Sequence, residues 1–228
     1  MAESNALIIF RGTLKWLIPC AAPGQPPFLF MLAPLPSSLR APMASRTVSR
    51  PHARFTVAEF HRLCEQLPER RLELIDGEVL EVIAKGSRHT AVVQRLARAL
   101  MPLMESHRGT ELGLPSHELR IEAPLDLGEH QEPEPDLAVV TARADAWLNA
   151  HPTAADTLLL IEVADTSLTY DLETKLRLYQ QAGIANYWVV DVQEPTAFFL
   201  LQGKSDQPLL SAMRAQVETL VAELRALG

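Results

Sequence analysis

The chain has 228 residues, 47% of them hydrophobic and 21% charged, which suits one ordinary folded domain with extra segments and excludes disorder throughout. Its formal net charge of −7 excludes a generally basic coat that holds nucleic acid by charge alone, and leaves room only for a local basic groove. The two cysteines, Cys20 and Cys64, exclude a disulfide framework and a Cys-type zinc site, and point to a reducing cytoplasm.

Residues 1–50 carry scattered prolines, short apolar bursts and very few acids. Pro19, Pro23, Pro26 and Pro27 break the apolar runs well short of the roughly 20 residues a membrane helix needs, so no membrane segment is expected. This stretch reads as a disordered or spurious N-terminal extension, with Met43 as the real start.

Thr56 followed by Glu59 forms a capping-box pattern, and the apolar stripe Phe60, Leu63, Leu67 predicts a short helix ending at Pro68. From Arg71 to Val82 the chain alternates about Asp76-Gly77, a hairpin signal in which Gly77 takes positive φ. Glu73, Glu78 and Glu81 fit an exposed strand face there. Ser87 is the expected N-cap of a helix from Arg88 to about Met104, with Val92, Val93, Leu96, Leu100 and Leu103 on its buried side. His89 falls in the first turn of that helix, where it serves either as a surface or capping residue or in a site.

A strand is expected within Gly109–Glu122, and a short buried one at Leu137–Val140. Pro135 lacks an amide donor and suits a strand's first position, so Asp136 enters the sheet with a fixed direction. Thr157 to Val163 is apolar or strand-forming except for Glu162, a carboxylate that loses solvation unless a cation or strong donors sit beside it. Leu158, Leu160, Glu162 and Ala164 share one sheet face by the two-residue period. A helix over Asp171–Ala182, closed by Gly183, carries the stripe Leu168, Leu172, Leu176, Tyr179 and leaves Lys175 on its border, either reaching inward or pairing with exposed Asp171. Asn186–Asp191 is the returning strand of a parallel crossover. Phe198–Leu201 reads as an edge strand and Gly203–Pro208 as a linker. Met213, Val217, Leu220, Leu224 and Leu227 form a short heptad-like seam that docks on the domain or on a second subunit.

Hard divalent ions such as magnesium or manganese take carboxylate oxygens, and Asp136 and Glu162 on adjacent strands suit one. A lysine beside them can orient or deprotonate an attacking water and offset charge on a phosphate. These features describe a phosphodiester hydrolysis site.

The runs RLELIDGEVLE at Arg71–Glu81, Ser87-Arg88-His89, PDLAVV at Pro135–Val140 and IEVADTSLTYDLETKLRLYQQAGIANYWVVD at Ile161–Asp191 resemble the Uma-two family of restriction endonucleases, within the PD-(D/E)XK nuclease superfamily. The resemblance covers roughly Phe55 to Glu194. It implies an α/β, restriction-endonuclease-like αβββαβ core with a mixed central sheet flanked by helices, spanning 51–200, followed by a linker and C-terminal helix at 201–228. It also implies metal ligation by Asp136, Glu162 and the Val163 carbonyl, and a functional lysine at Lys175, with Glu78 or His89 completing the site. Two departures stand out: Ala164 occupies the position of the superfamily's usual lysine, and the family's C-terminal strands are not recognisable past about Pro195, where a helical tail stands instead. The expectation is a magnesium- or manganese-dependent endonuclease acting on DNA as a homodimer. A partner methylase leaves no mark in the sequence. The alternatives are an inactive nuclease-fold dimer that binds nucleic acid or another partner, and a metal phosphodiesterase acting on RNA or small molecules.

Overall fold

The computed structural model describes residues 53–106, 116–203 and 207–227; the expectations for residues 1–50 lie outside them. Helix α1 (Val57–Gln66) opens on the expected capping box: the Thr56 hydroxyl accepts from the Glu59 amide, and the Glu59 carboxylate accepts from the Thr56 amide, a cap contributing about 1 kcal/mol. Strands β1 (Leu72–Ile75) and β2 (Glu78–Glu81) form a separate antiparallel hairpin. Both central turn residues have positive φ, 52° at Asp76 and 76° at Gly77, the left-handed pair that a two-residue hairpin turn needs.

Helix α2 (Ser87–Ser106) leads to β3 (His117–Ile121), β4 (Leu137–Thr141) and β5 (Thr157–Ala164). Helix α3 (168–182) then follows, β6 (Asn186–Asp191) returns, β7 (Thr196–Gln202) runs beside it, and α4 (Gln207–Leu227) ends the described chain. The five-stranded sheet has the order β3-β4-β5-β6-β7. Its β5–β6 pair is parallel and the other pairs are antiparallel, so the sheet is mixed and contains the expected αβββαβ core.

Each sheet face buries its own core. Leu137, Val139, Leu159, Ile161, Val163, Trp188 and Val190 point to the layer of α2 and α4, with Val92, Leu96, Leu100, Leu209, Met213 and Val217. Ala138, Val140, Leu160, Ala164, Tyr187 and Val189 point the other way, toward Leu178 and Tyr179 of α3 and Ile75 of the hairpin. Because β5 is covered on both faces, all eight of its residues are buried, as expected for a central strand.

Two expectations change here. Leu158 joins the α2 face and not the Glu162 face, because the register slips from Val139↔Leu159 to Val140↔Thr157 and such a bulge reverses the alternation beyond it. Beyond Pro195 the sheet continues: β7 pairs along β6 from Asp191↔Thr196 to Asn186↔Gln202. The tail helix adds to that strand and does not replace it, and its apolar seam docks on α2.

Candidate active site

Antiparallel pairing of Leu137 with Ile161 sets the preceding residue, Asp136, across from Glu162, on the sheet face that looks toward α3. Both carboxylates are buried, at 4% and 3% exposure. The Asp136 amide lies 3.3 Å from Glu162 Oε2, and the Val163 amide donates to Asp136 Oδ2 at 2.7 Å. Val163 lines the same cleft. The two carboxylates are thus fixed by backbone, and side-chain rotamers alone do not set their separation.

Lys175 arrives by a local irregularity. Helix α3 is α-helical over Leu168–Tyr170, opens into a π turn over Asp171–Lys175, and returns to α over Leu176–Ala182, ending at Gly183 with φ 84°. A π turn inserts a residue into the helical spacing, so the i to i+4 geometry expected for Asp171 and Lys175 does not hold. Asp171 is buried and accepts from the Ser167 hydroxyl at 2.6 Å. Lys175, 7% exposed, turns inward to Glu162 Oε1 at 3.0 Å, with Glu73 Oε2 at 3.8 Å. The Tyr179 hydroxyl donates to the same Glu162 oxygen at 2.8 Å. Ala164 is packed in the core on that face, and the ammonium beside Glu162 comes from α3.

The other wall comes from the segment between β2 and α2. Lys85 contacts Asp136 Oδ1 and lies 2.9 Å from Glu122 Oε1, while His89 Nε2 is 3.1 Å from Asp136 Oδ2. Ligand atoms of His89, Glu122 and Asp136 lie within 4.8 Å of one another. Glu122 holds φ 47° and its amide donates to the Asp136 carbonyl at 3.0 Å; a non-glycine residue in that region is held by its surroundings at a cost of order 1 kcal/mol. Asp136, Glu162, Val163, Lys175 and His89 therefore line one cleft.

Glu78 does not join them. It is exposed and pairs with Ile75 beside the turn. The hairpin acid that reaches the cleft is Glu73, buried and paired across to Leu80, two residues or about 7 Å further along the strand. Glu73, Lys85, Glu122 and Tyr179 escape sequence reasoning. Each looks like an ordinary exposed or core residue until the fold brings residues 73, 85, 122 and 179 to the same place.

The electrostatics follow from burial. Burial alone would raise the Asp136 carboxyl, but the hydrogen bond from His89 and the Lys85 ammonium reverse that and hold it well below the usual carboxylate range. Burial pushes Glu162 up to about 8, opposed by Lys175 and reinforced by Asp136 and Asp171. Burial also works against a charged Lys175, yet Glu162, Glu73 and Asp171 outweigh it and keep the ammonium above its ordinary value. Carboxylates outnumber the Lys and Arg side chains lining the cleft, and Glu162 is the group that answers for the imbalance. A hard divalent ion suits this donor set: buried carboxylate oxygens on adjacent strands, and an imidazole, His89, whose buried Nδ1 has no partner.

Among solved structures, the chain is similar to a crystal structure from Anabaena variabilis described as a "putative nuclease belonging to DUF820", with a TM-score of 0.52 and 19% identity over 66% of this chain and 82% of that one. At that identity the likeness is one of fold. No curated protein matches the chain. The family model Uma2, described as "Putative restriction endonuclease", matches residues 57–226, so it includes the hairpin, both walls of the cleft, β7 and most of α4. With that span matched, the chain belongs to the Uma2 family.

Proposed function

We propose that the protein is a divalent-metal-dependent endonuclease that hydrolyses DNA phosphodiester bonds at the cleft between β4, β5 and α3. The observation that carries this reading is the placement of Asp136 and Glu162 on adjacent strands and one face, with Lys175 Nζ 3.0 Å from Glu162. Asp136, Glu162 and the Val163 carbonyl would hold magnesium or manganese, which when bound supplies a polarised water and a counter-charge for the phosphate. Lys175 is held as a cation, so its part is to orient the water and offset charge building on the phosphate, and it is not the base. Tyr179 holds the Glu162 oxygen that Lys175 also contacts, while the Asp136 amide meets the other. Glu73 and Asp171 keep Lys175 charged. A homodimer with two such clefts suits cleavage of both strands.

Nicking of supercoiled plasmid with magnesium or manganese tests the reading. Glu162→Ala and Lys175→Ala are each expected to lower the rate by two or more orders of magnitude, in the range typical for loss of a charge-stabilising group. Unchanged cleavage in both variants overturns the mechanism. Absence of any cleavage by the wild type, with no metal uptake dependent on Asp136 and Glu162, would instead identify a binding module.

A further inference from the structure

Lys85 has no place in the mechanism above, yet it is the cation in closest contact with the site's first carboxylate. It leaves the unpaired stretch between β2 and α2 and puts its ammonium between Asp136 Oδ1 and Glu122 Oε1. The same two carboxylates, with His89, are the groups whose ligand atoms gather within 4.8 Å. His89 is more than nine-tenths buried against Asp136, and its Nδ1 lone pair or proton meets no partner. A buried imidazole with one nitrogen on a carboxylate and the other unsatisfied is a poor way to end a structural hydrogen-bond network. It is a good way to keep a ligand in reserve, since moving the proton from Nε2 to Nδ1 frees Nε2 for a cation without changing the net charge of the ring.

We propose that Lys85 is an internal counter-cation occupying a second divalent-ion position formed by Asp136, Glu122 and His89, and that an ion enters there by displacing the ammonium. The position shares Asp136 with the site described above and in that respect rests on it, but its other two ligands, Glu122 and His89, gather with Asp136 without Glu162. The displacement is geometrically open. Lys85 is 19% exposed at its side chain and sits on a loop whose neighbour Ile83 is 86% exposed, so the four-carbon stem can swing out past the rim. A lysine suits this task better than an arginine, because a compact ammonium on a flexible stem fills a cation's place without a fixed fork of donors.

Manganese titration by calorimetry, with the bound ion followed by its paramagnetic resonance, tests this without relying on cleavage. Lys85→Met is expected to take up manganese on the order of tenfold more tightly than the wild type, as a site closed by an ion pair is opened. The gain should vanish in Lys85→Met/Glu122→Gln and persist in Lys85→Met/Glu162→Gln. Arg71→Gln is the control: it removes a positive charge that also faces Glu122 while leaving Asp136 engaged, and should give at most a small part of the gain. Equal affinity in wild type and Lys85→Met overturns the inference, as does an equal gain in Arg71→Gln, or no binding in either protein. Uptake by the wild type that needs Glu162 supports the proposed nuclease site whichever way Lys85 behaves, so the two ideas fail separately.

Discussion

Glu162 is the residue whose ionisation governs the cleft. Its native pKa is raised from the ordinary value to about 8, so the native state holds a proton that the unfolded chain releases near the ordinary glutamate value. The stability linked to that proton is present at low pH and is lost as pH rises through about 8. Asp136 has the opposite sign: its native pKa is lowered, and its contribution is present above the ordinary aspartate value and lost in acid. On the proposed function, a metal ion competes with the Glu162 proton. Manganese affinity should therefore rise about tenfold per unit between pH 6 and 8 and level off above that, because one proton leaves for each ion bound. Calorimetry across that range is the check; a flat profile, or the same slope in Glu162→Gln, would remove Glu162 from the ligand set. Glu162 is legible in the sequence because a single carboxylate inside an apolar run is an anomaly that needs a partner. Lys85 is not, because a lysine in a polar turn looks like any solvated lysine, and only the chain reversal through α2 and β3 brings it to Asp136.

At the scale of elements, periodicity carries the reading as long as it stays regular. The hairpin, β4, β5 and β6 follow from their apolar alternation or runs, and Asn186–Asp191 has the bounds its sequence suggests. Three features break the period and are not legible: the π turn that aims Lys175, the bulge that turns Leu158 over, and the left-handed Glu122. The π turn and Glu122 lie on or beside the cleft, where local regularity is given up to place a side chain; the bulge lies toward the other end of β4 and β5. Helix α4 shows the opposite case. Its seam is plain in the sequence, but its partner is not; Met213 and Val217 are fully buried in the core shared with α2 and β7. Met213→Ala should cost about 3 kcal/mol, the range for emptying a buried methionine site. Urea unfolding measures it, and a loss below about 0.5 kcal/mol, the scale of a neutral surface change, would mean that α4 is not part of the cooperative unit.

For the whole molecule, the net charge of −7 and a cleft in which acids outnumber bases set the order of events. A polyanionic substrate does not approach buried carboxylates unaided, so on the proposed function divalent ions enter before or with the DNA. Two layers of helix hold the five-stranded sheet between them, and the hairpin, the β2–α2 segment and α3 wall the cleft on the α3 side. Among the described residues no helix is long and apolar enough to cross a membrane. The fold class is readable from the order of apolar strands and amphipathic helices, whereas the full acid inventory of the cleft depends on the assembled sheet. The most direct test of the proposed metal site is a crystal structure grown with manganese and read by anomalous scattering. The expected result is a peak coordinated by both Asp136 and Glu162, with Lys175 still beside Glu162. A protein saturated with manganese that shows no peak at Glu162 would contradict it.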